Sequence, residues 1–217
     1  MTTTTATSSD KLTSHDESLV DSKMLEKAEM VGVFDSDGNE RPFGGLVRHG
    51  KVCVVFIRHF LCGYCQEYLV ALKQLLLRED GDSILDKNKK MVVIGCGHWS
   101  VIKSYKDLLG EGDCPFEIYA ESTSALVDSL GMLCKFDVGD TKTQGHYITQ
   151  SLTSTIISSL FNGCKMGPTS FLRSGKMSQQ GGEFIFVDGH CVFAHRMKTA
   201  RDHLEPQELL DRFISLV

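Results

Sequence analysis

The sequence predicts an α/β fold in which a mixed central sheet carries helices on both faces. Apolar runs of strand length alternate with helix-like segments, and two late strand-like runs are joined by a tight turn at Asp188-Gly189. Strands linked by helices pair in parallel, whereas a hairpin adds antiparallel strands, so this order of elements predicts a mixed sheet. With 217 residues, of which 41% are hydrophobic, the chain can bury one substantial core.

The N-terminal region precedes the first predicted element. Residues 1–20 are rich in Thr, Ser and charged side chains and lack apolar periodicity, which predicts a disordered tail. We therefore place one folded domain at residues 21–217. It opens with an entry strand or hairpin, because residues 31–34 run into a turn sequence at 35–39 and further apolar residues follow. This segment is predicted to be an N-terminal hairpin extension of the sheet.

The first long helix is predicted from leucines at three- and four-residue spacing, which give it one apolar face for the sheet: Leu69, Leu72, Leu75 and Leu76. The other elements follow from apolar runs and their flanking turn residues. In chain order we predict strand 52–57, helix 63–79, strand 91–96, helix 101–110, strand 116–119, helix 122–130, strands 183–187 and 191–194, and helix 205–216.

Some fifty residues, at about 132–182, exceed what this plan of strands and helices requires. They contain an amphipathic stretch at about 147–161 and a Gly/Ser-rich piece that runs through Gly175. We interpret this segment as a helical insertion. It is either a solvated connection with one packing helix or a lid over a site, since long insertions serve both purposes.

Charge and hydropathy exclude several classes of partner. The formal net charge is −5 and no long Lys/Arg block is present, which argues against nucleic-acid binding. No apolar run approaches the roughly 20 residues of a membrane-spanning helix. The N-terminus lacks the charged and apolar regions of a signal peptide. We therefore expect a soluble cytoplasmic protein with no nucleic-acid and no membrane partner.

The most informative motif is Cys62-Gly63-Tyr64-Cys65, which follows the predicted strand 52–57 and opens the predicted helix 63–79. A helix N-terminus favours a thiolate, and a second cysteine one helical turn further on can close a disulfide. Cys62 can attack a substrate disulfide, with Cys65 resolving the mixed disulfide. Alternatively, it can attack a peroxide to form a sulfenic acid that Cys65 captures.

Two other interpretations of the pair remain open. A CxxC motif can be half of a zinc site, although no second CxxC or HxxxH supplies the other two ligands. The pair can also be incidental. We expect Cys53, Cys96 and Cys191 to be small buried hydrophobes, because each lies in an apolar strand-like run. The redox interpretation requires no metal and no bound organic cofactor.

Three cationic side chains and one loop are candidate supporting groups. Arg58 and His59 lie four and three residues before Cys62, where they either lower the thiol pKa or cap the strand end and face solvent. Arg196 follows the last strand and can reach the site only across the sheet end, so a surface salt bridge is the simpler interpretation. The loop at 95–99 emerges at the same sheet edge and either lines the site or serves as plain packing.

Further motifs accompany the dithiol in a fixed order along the chain: Val54 to Arg58, Phe60-Leu61-Cys62-Gly63-Tyr64-Cys65, Val93 to Gly97, Cys114 to Ala120, Leu130-Gly131-Met132, Gln179 to Phe184, His195-Arg196 and Asp202-His203. Together they resemble the peroxiredoxin-like 2 family, also described as AhpC/TSA antioxidant-like proteins, within the thioredoxin-fold superfamily. The resemblance spans about residues 31–217 and leaves only the N-terminal tail outside.

The resemblance implies a thioredoxin-like three-layer fold, a cytoplasmic thiol antioxidant or reductase activity, and Cys62 and Cys65 as the reactive pair. It implies a small-molecule peroxide or a protein disulfide as substrate, and a thiol reductant such as thioredoxin or glutathione as partner. Some relatives are associated with the reduction of prostaglandin endoperoxides by a thiol or a nicotinamide-derived reductant.

Two positions depart from the patterns of related proteins. Peroxiredoxins resemble one another in a Pro-x-x-x-Thr-x-x-Cys pattern, and here Val55 and His59 occupy the Pro and Thr positions before Cys62. This argues against fast peroxide reduction. Thioredoxins carry a cis-Pro before a strand that corresponds to residues 183–187 here, and Gly181-Gly182 fills that place. Glycine leaves the backbone accessible without fixing a cis bond.

The leading hypothesis is a thiol oxidoreductase in which Cys62 is the nucleophile and Cys65 the resolving thiol. The alternative is a non-catalytic redox sensor or binding protein that keeps the fold and toggles the same pair without rapid turnover. A metal-binding module is the third hypothesis.

Overall fold

The computed structural model of the chain describes residues 18–77, 85, 88–141, 144–149, 163–164, 166–167 and 169–216. In chain order the elements are α1 (Ser22–Glu29), β1 (Gly32–Phe34), β2 (Glu40–Pro42), α2 (Phe43–Val47), β3 (Lys51–Ile57), α3 (Gly63–Leu76), β4 (Lys89–Cys96), a 3-10 turn (Trp99–Val101), α4 (Ile102–Asp107), β5 (Glu117–Glu121), α5 (Ala125–Ser129), α6 (Ser170–Arg173), β6 (Gly182–Val187), β7 (His190–Arg196) and α7 (Pro206–Ser215).

These strands form a sheet with the order β2-β1-β5-β4-β3-β6-β7. Strands β3, β4 and β5 pair in parallel, and the pairs at both edges are antiparallel. The predicted mixed sheet is therefore confirmed. The predicted hairpin at Asp188-Gly189 is confirmed as the turn between β6 and β7, where both residues have positive φ angles of 47° and 84°.

Side chains from alternate positions of β3 enter two separate apolar clusters on opposite faces of the sheet. The α3 face carries Cys53, Val55 and Ile57, which pack beneath α3, α4 and α7. The α1 face carries Val52, Val54 and Phe56, which pack beneath α1, α2 and α5. A strand buried on both faces has a continuous apolar sequence, and residues 52–57 have that pattern. The arrangement gives the three layers that the resemblance implies.

Several element ends differ from the prediction. Helix α3 ends at Leu76, because Leu77 is extended, and Leu75 is 37% exposed instead of sharing the buried face. Helix α5 begins at Ala125, later than predicted, because Ser124 adopts a positive φ of 69° that a continuous helix does not permit. Strand β4 begins two residues early, since Lys89 pairs with Lys51 of β3.

The described part of the insertion runs along the α3 face and past the carboxyl end of β3. Tyr147 packs on Tyr68 of α3, with 5.0 Å between ring centroids. The helix α6 lies in this segment, but most of the amphipathic stretch at 147–161 lies outside the described residues, as does the N-terminal tail through residue 17. The proposed domain limits at 20 and 132–182 therefore stay predictions. Within the described ranges, no helix has the length and apolar character needed to cross a membrane.

Candidate redox site

The candidate site lies where β3 ends and α3 begins. Cys62 is extended and caps the N-terminus of α3. Its Sγ atom accepts a hydrogen bond from the backbone N–H of Cys65 at 3.4 Å and lies 2.8 Å from the Sγ atom of Cys65. Cys62 is 5% exposed and Cys65 is fully buried. The sulfur that caps the helix is therefore also the one that a substrate can reach first.

Arg58 supplies a fixed positive charge to this sulfur. Its Nη1 atom lies 3.7 Å from the Sγ atom of Cys62. The Nε atom donates to the carbonyl of Gln179 at 3.1 Å, and Nη2 donates to the carbonyl of Met177 at 2.6 Å. Arg58 is only 5% exposed, so the solvent-facing interpretation is wrong. The insertion thus holds the guanidinium in place, a contact that the sequence did not indicate.

The two thiols are electrostatically unequal. Burial alone raises the pKa of Cys62, but the hydrogen bond from the Cys65 thiol and the charge of Arg58 bring it well below its ordinary value. The pKa of Cys65 is well above its ordinary value, because the thiol is buried and already donates to the negatively charged Cys62 sulfur. Cys62 is therefore the thiolate of the pair and Cys65 the neutral thiol.

His59 is buried beside the pair but does not carry a charge at neutral pH. Burial lowers the pKa of its imidazole to about 4. Its Nδ1 atom accepts a hydrogen bond from the backbone N–H of Leu61 at 3.3 Å, which requires an unprotonated nitrogen. The positive charge next to Cys62 thus comes from Arg58, and the role of His59 is to order the loop before α3.

Gly181 and Gly182 allow neighbouring strands to approach closely, because neither residue has a side chain. A Cβ atom on Gly181 would lie 2.0 Å from the carbonyl oxygen of Phe56, and one on Gly182 would lie 2.3 Å from the carbonyl oxygen of His195. Both glycines are buried. The expectation of an accessible backbone at this position is therefore wrong, because the space beside each glycine is filled by a neighbouring strand.

Arg196 lies on the α1 face, opposite the dithiol. Its Nε and Nη1 atoms donate to the carbonyls of Leu130 and Ser18, each at 2.7 Å, and its guanidinium lies 5.3 Å from the centre of the Phe184 ring. The residue is 3% exposed. The surface salt bridge predicted from the sequence is wrong, and Arg196 does not reach across the sheet end to Cys62.

The α3 face also buries a carboxylate between two histidines. Glu183 of β6 contacts the Nδ1 atoms of His195, at 2.7 Å, and of His203. Burial alone raises the pKa of Glu183, but the two histidines bring it down to about 2. The ring of His203 stacks on Tyr68 with 4.2 Å between centroids. This cluster lies beneath Tyr68, in the middle of α3. It brings Glu183, from the Gln179 to Phe184 motif, into contact with His203, from the Asp202-His203 motif.

Two aromatic residues that the sequence did not single out border the dithiol. Tyr64, inside the CxxC motif, accepts a hydrogen bond at 2.7 Å from the buried guanidinium of Arg201, which also lies over its ring. Tyr105 of α4 packs edge-on against Phe60 with 5.2 Å between centroids. A Cβ atom on Gly95 would lie 2.5 Å from the Phe60 ring and one on Gly97 would lie 2.8 Å from it, so the loop at 95–99 packs closely against this ring.

Comparison with known proteins assigns the chain to a family. The family model for AhpC/TSA antioxidant enzymes matches residues 76–199, which is more than half of the chain. The chain belongs to the AhpC/TSA antioxidant family. Because the matched segment begins at the end of α3, the family assignment does not depend on Cys62 and Cys65. The role of those two residues rests on the geometry described above.

Curated relatives in the AhpC/TSA antioxidant family cover most of the chain. The chain is 31% identical to human Peroxiredoxin-like 2C over 172 residues, which cover 79% of this chain and 72% of the relative. It is 28% identical to Peroxiredoxin-like 2C of Takifugu rubripes over 187 residues, which cover 86% of this chain and 80% of the relative. These relatives confirm the resemblance to the peroxiredoxin-like 2 family.

Solved structures confirm the fold of the AhpC/TSA antioxidant family in this chain. A peroxiredoxin-like protein from Aquifex aeolicus superimposes with a TM-score of 0.54 at 8% identity, over 86% of this chain and 83% of its own. The bacterioferritin comigratory protein of Xanthomonas campestris gives 0.51 at 11% identity, over 88% and 94% of the two chains. The mixed sheet and its helices are thus the thioredoxin-like fold of the peroxiredoxins.

Proposed function

We propose that the protein is a thiol-dependent oxidoreductase that reduces a peroxide, an endoperoxide or a disulfide through a reversible Cys62–Cys65 disulfide. The observation that carries the proposal is the inequality of the two sulfurs. Cys62 accepts hydrogen bonds and lies 3.7 Å from a guanidinium nitrogen, whereas Cys65 donates. Membership in the AhpC/TSA antioxidant family supports a redox function in general.

With a peroxide as substrate, the thiolate of Cys62 attacks one peroxide oxygen. A sulfur–oxygen bond forms, the oxygen–oxygen bond breaks, and the released alkoxide takes a proton from solvent to leave as an alcohol. The sulfur of Cys65 then attacks the sulfur of the Cys62 sulfenic acid. A disulfide forms, and the displaced hydroxide leaves as water with the thiol proton of Cys65. Two electrons from an external thiol reductant return the pair to its starting state.

With a disulfide as substrate, the same two sulfurs act in the same order. Cys62 attacks one substrate sulfur and releases the other as a thiolate, which gives a mixed disulfide. Cys65 then attacks Cys62 in the mixed disulfide and releases the second substrate thiol. Thioredoxin or glutathione is the class of reductant that would regenerate the dithiol, and the cytoplasm is a compartment that supplies both.

Burial of the pair favours a second candidate function, which is redox sensing without rapid turnover. Cys62 is only 5% exposed. The position three residues before it holds His59, whose ring is occupied by a hydrogen bond from Leu61, where peroxiredoxins carry a threonine hydroxyl. A sensor oxidises once and waits for a reductant, whereas an enzyme returns to the dithiol many times.

The test is stopped-flow oxidation of the reduced protein by hydrogen peroxide, a lipid hydroperoxide and a protein disulfide. We expect Cys62→Ser to abolish oxidation. Cys65→Ser should permit one oxidation or a trapped mixed disulfide, because only this variant keeps the attacking thiol. Cys164→Ser is the matched control, since Cys164 is an exposed cysteine outside the pair.

Turnover decides between the two candidate functions. Fast oxidation that depends on Cys62, and that a thiol reductant reverses over many cycles, would support the enzyme. Slow oxidation by all three substrates, with retained dependence on Cys62, would support the sensor. Equal behaviour of wild type, Cys62→Ser and Cys65→Ser would overturn both.

A further inference from the structure

Tyr105 is a buried aromatic residue in the same core cluster as Cys62 and Cys65. Helix α4 turns it inward together with Ile102, three residues earlier, so that both side chains face the sheet. Its ring packs against Phe60, which lies two residues before Cys62 in the loop that ends β3. The phenol is therefore held in place by packing on the residues that position the dithiol.

The hydroxyl of Tyr105 lacks a hydrogen-bond partner among the described residues, although its oxygen is buried. Leaving a buried hydroxyl unpaired destabilises a folded protein, so such groups are rare and each requires an explanation. A phenylalanine would fill the same space without this cost. The tyrosine oxygen at this position can therefore donate to an atom that is absent from the reduced dithiol.

The phenol lies within electrostatic range of both sulfurs. Burial raises the pKa of Tyr105 well above its ordinary value, and electrostatic interaction with the neighbouring Cys65 and Cys62 raises it further. Tyr147 also interacts electrostatically with both sulfurs, but its hydroxyl already donates to the carbonyl of Arg201 at 3.3 Å. Of these two tyrosines near the pair, Tyr105 is the one with a free hydroxyl.

We propose that the Tyr105 hydroxyl donates a hydrogen bond to the oxygen atom that Cys62 acquires when a peroxide oxidises it. This role rests on the proposed function and names a further residue of that site. The acceptor is the oxygen of the Cys62 sulfenic acid or sulfenate, and the tyrosine keeps its proton throughout. The family pattern supplies a hydroxyl from a threonine three residues before the cysteine, and here His59 stands there. Tyr105 supplies a hydroxyl from another helix.

The test measures the first oxidation step alone. In a Cys65→Ser background, reduced protein is mixed rapidly with hydrogen peroxide, and the Cys62 sulfenic acid is trapped by a dione reagent and counted by mass spectrometry. We expect the added change Tyr105→Phe to slow sulfenic acid formation about 10-fold, the range for one hydrogen bond to a partly charged acceptor. The thiolate titration of Cys62 should not move, because Arg58 and the helix N-terminus are unchanged.

Tyr68→Phe in the same background is the matched control. Tyr68 is equally buried and its hydroxyl also lacks a hydrogen-bond partner among the described residues, but its ring stacks on His203, and its electrostatic neighbours are Glu183, Cys53 and Tyr147. We expect it to leave the oxidation rate within about twofold of its parent. Tyr105→Phe should also unfold at the same temperature as its parent or a higher one, since it removes an unpaired buried hydroxyl. If Tyr105→Phe is oxidised slowly but unfolds at an unchanged or higher temperature, loss of folding is excluded as the cause of the slower oxidation.

Two outcomes would overturn the proposal, and they differ in meaning. Equal rates for Tyr105→Phe and Tyr68→Phe, with oxidation still at Cys62, would remove Tyr105 from the site and leave the proposed function intact. Absence of any oxidation at Cys62 in the parent would remove the proposed function and the role of Tyr105 together.

Discussion

Arg58 and Arg196 lie at the same edge of the sheet on opposite faces, and they are built alike. Strands β3 and β7 point the same way, so both arginines lie at carboxyl ends. Each guanidinium is nearly fully buried and donates to two backbone carbonyls. Arg58 faces the sulfur of Cys62, whereas Arg196 lies over the ring of Phe184. Arg58 thus lowers the pKa of a thiol, and Arg196 joins the segment before α1 and the end of α5 to the sheet.

The comparison shows that burial of a charge does not by itself mark a functional group. Each guanidinium donates to two carbonyl oxygens, which offset part of the cost of burying its charge. The difference lies in the remaining neighbour, which is an ionisable thiol in one case and an aromatic ring in the other. Three changes to the chain test whether this division of roles holds.

The largest effect is expected from Arg58→Met. Removing a positive charge in contact with a thiolate should raise the pKa of Cys62 by about 1–3 units. The thiolate absorbance measured across pH checks this. Arg58→Lys should restore part of the shift, because it keeps the charge but loses the two carbonyl contacts. An unchanged titration in Arg58→Met would refute the role of Arg58, and a shift of similar size in Arg196→Met would refute the contrast.

The next effect concerns the neutral imidazole beside Arg58. The pKa of His59 is about 4 in the folded protein and 6.5 in its ordinary state. As pH falls from 6.5 towards 4, the unfolded chain binds a proton that the folded protein does not, so stability decreases across this window. The loss should approach about 3 kcal/mol.

The variant His59→Asn removes this titration and keeps an acceptor for the N–H of Leu61. Urea unfolding of both proteins at a series of pH values would show a shallower acid dependence in His59→Asn. Parallel curves for the two proteins would mean that His59 binds its proton equally well in the folded and unfolded states, so that it would add positive charge beside Cys62 as pH falls through 6.5.

The smallest effect is expected from Arg196→Met, and it falls on stability. The change removes two hydrogen bonds to buried carbonyls and should lower the free energy of unfolding by about 2 kcal/mol, with no change in the pKa of Cys62. Arg212→Met is the control, because Arg212 is half exposed in an ion pair with Glu208 one turn away and should cost less than about 1 kcal/mol. Equal losses of stability in the two variants would show that the two buried hydrogen bonds of Arg196 contribute no more than the exposed ion pair of Arg212.

The sequence predicted the parts of the molecule that depend on local pattern. The apolar run before Cys62 and the leucine spacing after it indicated β3 and α3, and Asp188-Gly189 indicated the last hairpin. The dithiol followed from the same junction. Each of these predictions depends on residues that are close together in the sequence, because apolar periodicity and turn residues are local patterns.

The parts that the sequence did not predict depend on contacts between distant residues. Nothing in the spacing of Arg58 indicates that carbonyls at 177 and 179 hold it, and nothing at Arg196 indicates the carbonyls of Leu130 and Ser18. Backbone acceptors carry no side-chain signature. Tyr105 was missed for the same reason, since a tyrosine on a short helix looks like ordinary core until its unpaired oxygen is located.

The helix cap formed by Cys62 has a consequence for the reduction potential of the pair. In the dithiol, the Cys62 sulfur holds negative charge that the N-terminus of α3 and Arg58 both stabilise. A disulfide has no such charge, so these contacts favour the reduced form over the oxidised one. A pair whose reduced form is stabilised in this way has a higher potential and accepts electrons readily. We therefore expect reduction of the Cys62–Cys65 disulfide by a thiol reductant to be thermodynamically favourable.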